Sequence, residues 1–275
     1  MKDSTKSLLN KSKKSEKIAF LITGGVLSLI IALWAVPRSV STAFERVFIE
    51  RGDFKIFHEP FSVSYYYSAE RRHLRYSDIQ PRVEYNFDFI LKQIIETSYQ
   101  KPVFFKDMAY HFSPWMNKQI LSSFHNTFII RDPVFVLPSL YKLLPDFELE
   151  ETGYKQQYEL FNLVINECKQ PPIVIDASDL CENPEAMLEA YCNKLGISHK
   201  KNSTTWVPRE IPEWKIWEKW HIDAMESSGI RKMKIDKEKK IAPHLKTFYD
   251  ECLPYYQELY KYRLKPTSTV AFREE

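Results

Sequence analysis

A chain of 275 residues can bury one substantial core, and its length permits one domain or two. With 44% hydrophobic and 15% aromatic residues it belongs with globular chains and not with disordered ones. A net charge of +3 is near neutral for this size and argues against a nucleic-acid groove, where a strongly basic face would be expected, so no nucleic-acid partner is expected.

The chain opens on a Ser-rich tail carrying Lys2, Lys6, Lys11, Lys13, Lys14 and Lys17, read as flexible. A nearly uncharged run, 18–36, follows, with lysines before it and Arg38 after it. A bilayer span needs about twenty such residues, so the run is borderline as a transmembrane segment and is similar to an uncleaved signal. Thr23, Gly24, Gly25 and Ser28 interrupt it, and its second half, 29–36, has the length of one buried strand. Without that half, the remainder is too short to span. Residues 1–28 are therefore expected to form an extension that packs on the domain or makes peripheral contact with a membrane, on a cytoplasmic chain. Membrane association through residues 18–36 is the alternative. Residues 29–265 are read as one domain and 266–275 as a tail.

After the strand come a polar turn, 37–42, and then Phe44, Val47 and Phe48 at helical spacing. A helix starting at Ser41 or Thr42 has free backbone N–H groups and a partial positive charge at that end, and Arg38, Ser39, Ser41 and Thr42 add donors. Such a turn is an anion site, most naturally for phosphate or sulfate. The plainer alternative is a hydroxyl-capped helix after a core strand. Because the turn lacks GxxxxGK[ST] and any glycine, it suits a small anion held from one side and not a wrapped triphosphate.

Gly52 is a stop, and residues 54–57 read as a second strand ending in His58-Glu59-Pro60. The aromatic stretch 61–67 includes Tyr65, Tyr66 and Tyr67, which could line a pocket, though core packing is the commoner use. Arg71, Arg72, His73 and Arg75 read as a solvated surface, with an anionic acceptor as the alternative partner. Phe87, Ile90, Leu91, Ile94 and Ile95 make an amphipathic helix, and residues 103–105 a third strand ending at Lys106-Asp107. A helix is expected over 114–124, then a fourth strand, 127–130, closed by Arg131-Asp132-Pro133, where Asp132 caps a helix whose first residue is Pro133. Tyr154, Tyr158, Phe161, Ile165 and Cys168 form another helical stripe, and residues 172–175 a fifth strand. A helix from Asn183-Pro184 ends at Gly196. Trp214, Trp217 and Trp220 share a helix face and read as core. The run 231–240 mixes lysines with Asp236 and Glu238 and reads as an exposed linker. A last helical region, 241–264, is expected to break near Pro254. Cys168, Cys181, Cys192 and Cys252 have no CxxC pairing or zinc spacing and are read as reduced thiols.

Strands alternating with helices imply a three-layer α/β fold with a mostly parallel sheet, whose site lies beyond the carboxyl ends of the strands. Those ends carry Arg38, His58 with Glu59, Lys106 with Asp107, Arg131 with Asp132, and Asp176 with Ser178.

These residues resemble a known family. Val36-Pro37-Arg38-Ser39-Val40-Ser41-Thr42 is similar to the phosphosulfate-binding loop of the sulfotransferases that use 3′-phosphoadenosine-5′-phosphosulfate (PAPS). Arg131-Asp132-Pro133 with Ser139 is similar to their 3′-phosphate motif, and His58-Glu59-Pro60-Phe61 fits a bacterial-type branch. The resemblance runs from about Leu29 to Ile230 and implies a P-loop-like fold. It implies that Pro37, Arg38, Ser39, Val40, Ser41 and Thr42 hold the 5′-phosphosulfate, that Arg131 and Ser139 hold the 3′-phosphate, and that no metal is needed. Trp206 is the candidate for the adenine. Arg38 stands where the cytosolic steroid and phenol enzymes carry Lys, and their C-terminal Gly-rich motif has no close copy here. Sulfuryl transfer needs a base to take the acceptor's proton. The candidates are His58, Glu59 and His111, with Lys106 near the bridging oxygen; in the family a Glu near the second strand end or a His after the third strand has this role. Plainer alternatives are a turn-fixing bond for His58, helix packing for His111, and salt bridges for Lys106 and Arg131. The acceptor is a hydroxyl or amine of a small molecule or glycan. Competing readings are a non-catalytic membrane-attached nucleotide-binding protein and a small-molecule kinase with a degenerate loop.

Overall fold

The structure is a computed structural model that describes residues 29–232 and 239–266, so the expectations for the N-terminal extension, the middle of the 231–240 run and most of the C-terminal tail fall outside it. The described residues form five strands: β1 Ile30–Ala35, β2 Lys55–His58, β3 Val103–Met108, β4 His125–Ile130 and β5 Val174–Asp176. They form one parallel sheet in the order β2-β3-β1-β4-β5, with β1 central and every residue of it buried. The apolar run at 29–36 is thus strand, as its β-branched and leucine content requires of a segment covered on both faces. Among the described residues no helix is long and apolar enough to cross a membrane.

The helices are α1 Ser41–Arg51, α2 Ser62–Tyr67, α3 Phe87–Ser98, α4 Ala109–Phe112, α5 Lys118–Leu121, α6 Pro133–Leu143, α7 Tyr154–Asn166, α8 Ala177–Glu182, α9 Pro184–Leu195, α10 Ile222–Met225 and α11 Lys246–Tyr260. They flank the sheet because alternate strand residues point to opposite faces. On β3, Phe104 stacks on Phe48 of α1 with ring centroids 3.9 Å apart, whereas its neighbour Phe105 meets Trp34, Phe61 and Phe124 on the other face. Beneath β1 and β4 the Trp34 indole donates to Asn126 Oδ1 at 2.9 Å, and the Gln157 amide donates to the carbonyls of Trp34 and Ile129, so buried polar groups are matched.

Three local expectations are corrected. The helix over 114–124 is a 3-10 turn, Ser113–Trp115, followed by α5, because the Asn117 side chain accepts from Ile120 N–H and starts a new helix there. The tryptophans at 214, 217 and 220 lie on a 3-10 stretch, Pro212–Trp220, that kinks at Trp217. α11 runs straight through Pro254, which is exposed, while Cys252 and Leu259 on the helix are buried and hold it to the body. All four cysteines are free thiols.

Candidate active site

Because every strand runs the same way, their carboxyl ends meet along one edge, where a cavity of about 280 Å³ opens. One end of it is walled by the turn from Pro37 to Ala43. The turn contains no glycine, yet Arg38 has φ 58° and Val40 φ 68°, the left-handed region that side chains disfavour. Alternating backbone of this kind aims successive N–H groups into a concavity, and α1 starts directly after it with no side chain capping its first turn. The Ser39 hydroxyl is committed to the Val36 carbonyl at 2.7 Å and holds the turn's shape.

Arg38 and Arg131 both line this cavity. Arg38 Nε donates to Ser139 Oγ at 2.9 Å, its Nη1 to the Trp220 carbonyl at 3.3 Å, and its Nη2 lies 3.8 Å from Asp223. Arg131 donates to the Arg38 carbonyl at 2.7 Å and so braces the turn from behind. Burial lowers both guanidinium pKa values, and Arg131 adds to the effect on Arg38 while Asp223 opposes it. Two partly desolvated cations facing one cavity make an anion the natural occupant.

The other end is aromatic, with Tyr66, Tyr110 and Trp217 in the lining. There His111 Nδ1 is 2.7 Å from Asp107 Oδ1, and Asp107 also accepts from the backbone N–H groups of Phe61 and Met108. Asp107 is fully buried, and burial pushes its carboxyl up in spite of these bonds. With its proton on Nδ1, His111 presents a lone pair at Nε2, which has no hydrogen-bond partner among the described residues. Between the two ends sits Glu59, with φ 43° and Lys106 Nζ at 2.5 Å. Burial alone would raise the Glu59 carboxyl, but Lys106, His58, His221 and His111 together hold it well below the usual carboxylate range.

A family model described as a sulfotransferase domain matches residues 29–256. The chain belongs to the sulfotransferase family. Two curated relatives from Arabidopsis thaliana are similar: branched-chain-amino-acid aminotransferase-like protein 2, 27% identical over 72% of this chain, and protein 1, 28% identical over 73%. The chain spans only 35% and 36% of the length of these relatives. Among solved structures, the sulfotransferase domain of the Synechococcus PCC 7002 olefin synthase aligns at 13% identity with a TM-score of 0.48, covering 88% of this chain and 98% of that one. The sulfotransferase domain from the curacin biosynthetic pathway aligns at 14% identity with a TM-score of 0.44, covering 82% and 98%.

In this chain the structure gathers Arg38, Arg131, Glu59 and His111 on one cavity, together with Pro37 and Ser39 to Thr42. Ser139 is not in the lining and meets Arg38, not Arg131. His58 and Lys106 stand one layer back, behind His221 and Glu59. Trp206, expected near the adenine, is not brought to the cavity: its indole donates to Ser227 Oγ at 3.1 Å and its ring lies 5.7 Å from the Arg46 guanidinium. Arg75, expected on a solvated surface, lines the cavity in a bidentate pair with the buried Glu151. Sequence reasoning missed His221, Glu45 and the orienting role of Asp107. Only Asp107 had a readable signal, its helical spacing from His111.

Among the described residues, His58, Glu59 and His221 are the group that offers metal-ligand atoms, all within 4.8 Å of one another. The two imidazole Nε2 atoms are hydrogen-bonded to each other at 2.8 Å and Glu59 is paired with a lysine cation, so protons already fill the roles a metal would take.

The Lys106 to Glu59 pair is itself testable, since both side chains are buried. Lys106→Met leaves a buried carboxylate alone and is expected to cost about 3–5 kcal/mol in urea denaturation, most of which Lys106→Met with Glu59→Leu recovers. Because the Glu59 pKa is depressed, its contribution to stability is full above the ordinary carboxylate range and is lost as pH falls through the lower folded value.

Proposed function

We propose that the chain moves a sulfuryl group from PAPS to a hydroxyl or amine of a small molecule or glycan, in the cytoplasm. The observation that carries this reading is the convergence of Arg38 and Arg131, far apart in sequence, on one cavity at the N-terminus of α1. The donor supplies an activated sulfuryl group whose transfer leaves adenosine 3′,5′-bisphosphate. The turn N–H groups and the Arg38 guanidinium would neutralise the charge that grows on the leaving phosphate as the S–O bond to it breaks. Arg131, with Ser139 bound to Arg38, supports the 3′-phosphate end.

His111 is the base this geometry favours. Its Nδ1–H is fixed by Asp107, its Nε2 lone pair is buried without a hydrogen-bond partner, and the ring lines the aromatic end of the cavity, where an acceptor would sit. As the acceptor oxygen or nitrogen bonds to sulfur, its proton passes to Nε2. Glu59 is the poorer base because Lys106 and its neighbours stabilise its ionised form. Free thiols at all four cysteines suit a reducing compartment.

A thermal-shift comparison of adenosine 3′,5′-bisphosphate, magnesium ATP and NADPH tests the reading. Stabilisation by the bisphosphate alone is expected, about 2.7 kcal/mol at a hundred times the dissociation constant, followed by label transfer from PAPS in an acceptor screen. Stabilisation by magnesium ATP and not by the bisphosphate would instead indicate a kinase.

A further inference from the structure

A chain of contacts leaves the anion turn and returns to the same helix. Thr42 Oγ1 lies 3.3 Å from His221 Nδ1, His221 Nε2 lies 2.8 Å from His58 Nε2, and His58 Nδ1 lies 2.6 Å from Glu45 Oε2. Thr42 and Glu45 are both on α1, and the side chains of Glu45, His58 and His221 are 0%, 1% and 7% exposed. The Trp214 ring packs on both imidazoles, with centroids 6.0 and 5.6 Å away.

Each contact requires a proton between its two atoms, which restricts the states the chain can adopt. Where Thr42 donates to His221, Nδ1 of that ring is bare, its proton sits on Nε2, and it points at His58. Where Thr42 accepts, His221 carries a proton on Nδ1, and the contact to His58 still needs one between the rings. The second state therefore holds one proton more on the segment Glu45, His58, His221, wherever on that segment it resides. Only in the second state is the Thr42 hydroxyl hydrogen free to turn toward the cavity that Thr42 lines.

We infer that Thr42 is a proton-controlled anion donor: an anion seated at the start of α1 draws one proton onto the buried Glu45, His58, His221 segment, and His221 then releases the Thr42 hydroxyl to it. His221 is on this account a positioning residue. The inference rests on the anion-binding part of the reading above.

The charged groups around the segment favour this order of events. Glu59 Oε1 lies 3.7 Å from His58 Nε2 and 3.9 Å from His221 Nε2, Lys106 is bound to Glu59, and Arg38 and His111 face the same space. Burial, with the charges of His58, Lys106 and Arg38, lowers the His221 pKa well below its ordinary value against the opposing pull of Glu59. Positive charge on His221 is therefore disfavoured by its surroundings. An added anion offsets the same cations and brings the proton in.

Calorimetric titration in two buffers of different ionisation enthalpy, with a chelator present, counts the protons taken up. The ligands are adenosine 3′,5′-bisphosphate and, separately, inorganic sulfate, which keeps both charges through the neutral range. Uptake of about one proton is expected near neutral pH, with affinity for sulfate rising up to about tenfold per unit fall in pH. Thr42→Ser should keep the uptake, while Thr42→Val and His221→Gln should abolish it. Equal uptake in Thr42→Val and the wild type overturns the inference. Bisphosphate binding with no uptake also overturns it and leaves the sulfuryl-transfer reading standing. Sulfate binding with uptake, but no bisphosphate binding, does the reverse; binding of neither overturns both.

Discussion

Arg38→Ala is expected to weaken adenosine 3′,5′-bisphosphate binding by at least about thirtyfold, the effect of removing a desolvated, hydrogen-bonded cation worth roughly 2–5 kcal/mol from an anion site. Three contacts are lost at once, to Ser139, to the Trp220 carbonyl and to Asp223. Arg38→Lys separates charge from shape. It keeps the cation but not the planar fork that reaches Ser139 and the Trp220 carbonyl together, so it should recover only part of the affinity. Equilibrium titration with the bisphosphate measures both variants. An Arg38→Ala protein that binds like the wild type would remove Arg38 from the anion site.

His111→Ala should leave bisphosphate affinity nearly unchanged while lowering kcat by about 10²–10⁴, the range for loss of a positioned base. Asp107→Asn should act in the same direction, because an amide cannot hold the Nδ1–H tautomer as a carboxylate does. The pair of measurements matters more than either alone. A structural role for His111 would lower binding and turnover together, whereas a base affects turnover. If His111→Ala retains full kcat while Glu59→Gln loses it, the proton goes to the second strand end instead.

Much of this arrangement was legible before any coordinates. Short runs rich in Val, Ile and Phe, three of them closed by a charged pair, read as strands of a covered parallel sheet, and such a sheet brings its carboxyl ends together whatever its order. That is why Arg38 and Arg131 could be paired from residues about ninety positions apart, and why Asp132 with Pro133 marked the start of α6 correctly. What escaped was whatever depends on side-chain direction. His58 and Glu59 are adjacent in sequence, but one turns inward to Glu45 and the other faces the cavity. His221 arrives at the end of an irregular 3-10 segment whose residues follow no period, so nothing in the sequence placed it against Thr42. Trp206 offers an aromatic ring, but a ring that stacks on a base and one packed beside Arg46 look alike in sequence. Pro254 misled because local propensity was set against packing, and packing prevailed.

Among the described residues, five with side chains have positive φ, and three of them, Arg38, Val40 and Glu59, sit in the turns that wall the cavity. Holding a residue there costs about 1–3 kcal/mol, most for a β-branched one such as Val40. That tension is released when the rim relaxes, so among the described residues the turns around the cavity have less to lose by opening than the sheet below them. A ligand lodged among these turns works as a splint, so the protein at rest is more perishable than the protein at work.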